Sequence, residues 1–97
     1  MNDDKPSELD AARVAIDAID AELIRLLARR AEHVIQVTQY KEQHGLAVTD
    51  PDREKRMLVR TTELAEAEGL DPGIARAVIR TIIAEFTGVQ HVALGRS

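Results

Sequence analysis

Only three places in this chain punctuate helix, and the gap between the first two decides what it can fold into. Pro6 and Ser7 stand in "KPSELD", and the next break, "HGLAVTDPD", does not come until Gly45. Ser7 is the expected N-cap of a first helix, because its hydroxyl can accept from a free N–H of the first turn. Gly45 reads as a helix stop. Asp50 then caps a second helix, with Pro51 at a first position that needs no N–H. "EGLDPG" repeats the device: Gly69 closes one helix and Asp71-Pro72 opens the next. The punctuation predicts helices over about 8–42, 51–67 and 72–93. No segment sustains a strand alternation, and no repeat or low-complexity tract is present. The expected class is all-α, with one long helix and two shorter ones per chain.

The first helix would run about 35 residues, or about 52 Å at 1.5 Å per residue. Its apolar stripe is Leu9, Ala12, Ile16, Ile19, Leu23, Leu26, Leu27, Val34 and Val37. Neither shorter helix matches that length, so a lone chain would leave part of the stripe wet. A stripe of that size marks an interface, and a two-fold dimer of antiparallel long helices is the simplest cover. An intertwined helical homodimer is therefore expected.

Composition narrows the functional classes. The 97 residues are 44% hydrophobic but only 2% aromatic, so the apolar mass is aliphatic and suits helix-on-helix packing. Cysteine is absent, which removes disulfides and thiolate metal sites and fits a reducing, cytoplasmic setting. Residues 1–7 are expected to be a short disordered lead, and 8–97 the helical domain. No apolar run approaches the roughly 20 residues of a spanning helix, so no membrane partner is expected. The formal net charge of −4 opposes binding to a nucleic acid. Cations that bind something here should meet a small anion instead.

Such cations exist, in an unusual place. At 100° per residue, with Arg13 at zero, the stripe of the first helix centres near about 270°, and Arg30 and Lys41 fall at about 260° and 280°. They are about 16 Å apart on one face, close enough to converge on one small molecule. Arg13 lies near the stripe's edge, about 25 Å from Arg30, too far for both to grip one ligand within a chain. In an antiparallel dimer Arg13 of one chain can approach Arg30 of the other. On the second helix Glu54 phases between Met57 and Leu58, with Arg53 beside the stripe. On the third, Gln90 falls within the face formed by Ile74, Ala75, Val78, Ile79, Ile82, Ile83, Phe86 and Val89.

Taken singly, each has an ordinary explanation. An Arg or Lys on an apolar stripe usually snorkels. A Glu in a first helical turn answers the dipole, and a buried Gln is usually a satisfied amide. The conjunction is harder to dismiss: three cations, one carboxylate and one amide all lean inward, and burying such charges unpaired costs several kcal/mol each. A pocket for an anionic ligand removes the anomaly. Its chemistry is limited, because His33, His44 and His91 have no metal-ligand spacing, no glycine-rich phosphate loop occurs, and Ser7 and Ser97 sit at the chain ends. What remains is a preorganised cationic cavity that binds a dicarboxylate and stabilises charge developing in a transition state.

The order Arg13, Arg30, Lys41, then "DPDRE" at 50–54 and "IIAEFTGVQ" at 82–90, resembles the all-helical chorismate mutase family over almost the whole domain. The resemblance implies a cofactor-free [3,3] rearrangement of chorismate to prephenate in aromatic amino acid biosynthesis. It implies that Arg30 and Arg53 hold the substrate's carboxylate end, joined by Arg13 from the partner subunit. Lys41 and Gln90 would donate to the ether oxygen, Glu54 would accept from the ring hydroxyl, and Asp50 would shape that end of the pocket. One position departs: Phe86 stands where family members often have a serine that helps hold a carboxylate. The sister isochorismate-pyruvate lyases resemble the mutases in fold and cationic set, but lack an acid at the position matching Glu54. A catalytically silent helical dimer acting as a regulatory module is the third reading.

Overall fold

The computed structural model describes residues 7–95. They form three helices, α1 (Glu8–Gln43), α2 (Pro51–Ala67) and α3 (Pro72–Ala93), and no strand occurs among the described residues. The expected all-α class and helix bounds hold, with α1 one residue longer than the punctuation predicts. Of the expected N-terminal lead only Ser7 falls within the described residues.

The caps work as the sequence implies. Ser7 Oγ accepts from the Asp10 N–H at 3.1 Å while the Ser7 carbonyl accepts from Ala11. Asp50 accepts from the Arg53 N–H at 3.1 Å, and Asp71 from the Gly73 N–H at 2.8 Å, each followed by proline. Both C-terminal stops are Schellman turns. At the end of α1 the Leu46 N–H reaches back to the Lys41 carbonyl at 2.9 Å and Gly45 to Glu42, with Gly45 at φ 63°. At the end of α2 Leu70 reaches Ala65 at 2.8 Å and Gly69 reaches Glu66, with Gly69 at φ 71°. Glycine is favoured at both because an L side chain is strained at positive φ.

The chain divides into two compact units, residues 1–33 and 34–97. In the first, every described α1 residue up to Leu26 is exposed, including Leu9, Ile16, Ile19 and Leu23, each more than half exposed. Only Leu27, Arg30 and Ala31 there are half-buried.

In the second unit α2 packs against α3. Among the described residues only Thr38, Val48 and Ala65 are buried. Thr38 meets its polar requirement within the helix, its hydroxyl donating to the Val34 carbonyl at 2.8 Å. The half-buried face of α2 is Glu54, Met57, Leu58, Thr61 and Thr62, and Arg76 of α3 donates to the Thr62 hydroxyl at 3.0 Å. The buried side of α3 differs from the expected stripe. Ile74, Val78 and Val89 are more than half exposed, whereas Arg76, Thr87 and His91 are half-buried. The inward face is thus turned by about 60° from the apolar average. Apolar character shows that a residue favours burial, but not against which surface, and these three leave α3 with an uncovered apolar edge.

Candidate active site

Lys41 lies in the last turn of α1, and the Schellman turn that follows folds the chain back beside it. Its ammonium donates to the Val48 carbonyl at 2.7 Å and to Gln90 Oε1 on α3 at 3.2 Å. Lys41 and Gln90 are half-buried, so the charge has lost part of its hydration, and two carbonyl acceptors replace it. Neither acceptor is a carboxylate, so the positive charge stays uncompensated and attractive to an anion. Two of the three ammonium N–H donors are engaged, which leaves one. The bond also orients Gln90: with Oε1 turned to Lys41, both amide N–H donors face away from it.

In the same unit α2, α3 and the loop before α2 line an open cavity of about 530 Å³. It is lined by Thr49, Glu54, Leu58, Arg80, Ile83, Ala84 and Thr87. Thr49 follows Val48 in the loop, and Thr87 stands about one turn before Gln90 on α3. Glu54 is half-buried in its wall. Asp50 and Arg53 are exposed at the start of α2, where the Asp50 carboxylate accepts from the Arg53 N–H and fixes the first turn. Phe86 is half-buried on the Gln90 side of α3. Arg30, half-buried, and Arg13, exposed, belong to the first unit.

Lys41 and Gln90 are thus brought together by a hydrogen bond, and Glu54 lines a cavity in the same unit. The Val48 carbonyl, Thr49, Arg80 and Thr87 were not anticipated. Thr87 and Arg80 lie seven residues apart, two turns of one helix side, and that spacing with Ile83 between them was the available signal. No group of three or more potential metal ligands occurs among the described residues. No helix among them is long and apolar enough to cross a membrane. The arrangement offers hydrogen-bond donors around a fixed cation and one carboxylate acceptor, parts suited to holding charge in place.

Known proteins resemble this chain in sequence. The family described as chorismate mutase type II matches residues 12–91. A T-protein from Enterobacter agglomerans is 39% identical over 79 residues, which cover 81% of this chain but only 21% of that protein. The chain therefore spans about a fifth of the length of that relative. A 4-amino-4-deoxychorismate mutase from Streptomyces venezuelae is 28% identical over 90 residues, covering 93% of this chain and 87% of that protein. A chorismate mutase from Methanocaldococcus jannaschii is 29% identical over 83 residues, covering 86% and 84% respectively. The family match takes in Arg13, Arg30, Lys41, Asp50, Arg53, Glu54, Phe86 and Gln90 alike, and the chain belongs to the type II chorismate mutase family.

Proposed function

We propose that this protein is a chorismate mutase, converting chorismate to prephenate in a homodimer whose helical domain is residues 8–97. The observation that carries the reading is the Lys41–Gln90 hydrogen bond, which sets an ammonium and an amide side by side. In the rearrangement a carbon–oxygen bond breaks as a carbon–carbon bond forms, within one molecule. No proton moves, and no covalent intermediate is needed. Negative charge grows on the ether oxygen only in the transition state, so donors aimed there lower the barrier without equally stabilising the ground state. The free ammonium N–H of Lys41 and the amide N–H of Gln90 take that role.

The remaining residues position the substrate. Arg30 and Arg53 meet carboxylates, for which a guanidinium offers a two-pronged donor. Arg13 reaches the site from the partner subunit, Glu54 accepts from the ring hydroxyl, and Asp50 holds the first turn of α2 that presents Arg53 and Glu54. The dimer is supported by the exposed leucines and isoleucines of α1 and by the scarcity of buried residues in one chain. The test is to give the purified protein chorismate and isochorismate separately and identify the products. Prephenate from chorismate is expected. Salicylate and pyruvate from isochorismate without prephenate would assign the lyase reaction, and no product from either would leave a regulatory module.

A further inference from the structure

Arg80 is a cation that the proposed reaction does not use. It lines the same cavity as Glu54, on the side of α3 that also carries Ile83 and Thr87. One turn earlier Arg76 is committed to the Thr62 hydroxyl, which closes that end of the helix pair. Arg80 itself is exposed, its charged head carried on a long stem at the cavity lining. A half-buried carboxylate and an exposed guanidinium therefore bound one space.

That juxtaposition matters for what the carboxylate can recognise. Alone, a glutamate at the end of a pocket binds an ammonium group better than a hydroxyl, because the ion pair adds Coulomb attraction to the hydrogen bond. A guanidinium facing the same space offsets that preference. It repels a substrate ammonium and leaves a neutral hydroxyl as the better donor to Glu54. We infer that Arg80 is a specificity-determining residue, which makes the Glu54 end of the cavity select a ring hydroxyl over a ring ammonium. The inference rests on the mutase reading, with Glu54 at the substrate's ring substituent.

The probe is 4-amino-4-deoxychorismate, which carries an amino group in place of that hydroxyl and is protonated near neutral pH. Its inhibition constant against chorismate turnover, divided by the KM for chorismate, measures the selection. The ratio should fall by roughly threefold to tenfold in Arg80→Ala, the effect of one partly exposed charge. It should fall further in Arg80→Glu and stay near the wild-type value in Arg80→Lys, which keeps the charge. Added salt should shrink the difference between wild type and Arg80→Ala. Prephenate formation by the wild type with a ratio unmoved in all three variants would overturn the role of Arg80 alone. A wild type that forms no prephenate would overturn the mutase reading and this inference together.

Discussion

The Lys41 ammonium and the Gln90 side-chain carbonyl meet at 3.2 Å, 49 positions apart in the chain. The same ammonium holds the Val48 carbonyl at 2.7 Å, so one side chain ties the end of α1, the following loop and α3 together. The contact that builds this corner also turns the Gln90 amide N–H groups away from Lys41. Structure and proposed catalysis are coupled through Lys41.

Replacing Gln90 by glutamate tests the donor role. A carboxylate there would repel charge developing on the ether oxygen, whereas a protonated carboxyl would donate to it. Gln90→Glu should be strongly impaired at neutral pH and regain activity as the pH falls toward the ordinary carboxyl range, about 4.3. Rate measurements on wild type and variant between about pH 4.5 and 7.5 check this. A variant whose rate follows the wild type across that window would remove Gln90 from the donor role.

Asp50 and Asp71 make the same kind of cap on different helices, but only Asp50 adjoins the proposed site. Alanine at either position should cost about 1 kcal/mol. For a chain of this size that is a fall in Tm of roughly 4–8 °C, compared at one protein concentration. Only Asp50→Ala should also lower kcat/KM per folded molecule, because Arg53 and Glu54 start from its turn. Equal activities for the two variants would confine Asp50 to capping.

Arg13 and Lys41 are proposed to serve one site from different subunits. Arg13→Ala and Lys41→Ala should each be poorly active alone, yet mixing them through unfolding and refolding should restore about a quarter of wild-type activity. Half of the dimers are then mixed, and each mixed dimer has one intact site of two. Sedimentation should show a dimer throughout. A mixture no more active than its components would place both residues in sites formed within one chain.

By the family resemblance, Phe86 stands where a serine hydroxyl would assist carboxylate binding. Phe86→Ser should lower KM by roughly tenfold, as one hydrogen bond to a charged group implies. It should also cost about 2 kcal/mol of stability, since a half-buried aromatic ring is lost. Kinetics and thermal unfolding on the same preparation separate the two effects. An unchanged or higher KM would show that the substrate carboxylate does not approach this side of α3.

The helices were legible because proline, glycine and aspartate act locally: Asp50-Pro51, Asp71-Pro72, Gly45 and Gly69 do in the structure what their chemistry dictates. The partial burial of Lys41, Glu54 and Gln90 was legible because each is a polar residue at an apolar phase. The Lys41–Val48 bond was not, since the path of a loop after a Schellman turn has no period to read. The inward face of α3 was misjudged because Ile74, Val78 and Val89 weigh on the apolar average although they are exposed. Arg80 and Thr87 escaped notice for the same reason, lying on the side toward which that face is turned.

The most direct test of the proposed mechanism is the turnover of chorismate by Lys41→Ala. Losing a donor that acts on transition-state charge should lower kcat by about 10²–10³. Circular dichroism on the same sample should show the three helices still formed. A variant that turns over chorismate at the wild-type rate would contradict the account at its centre.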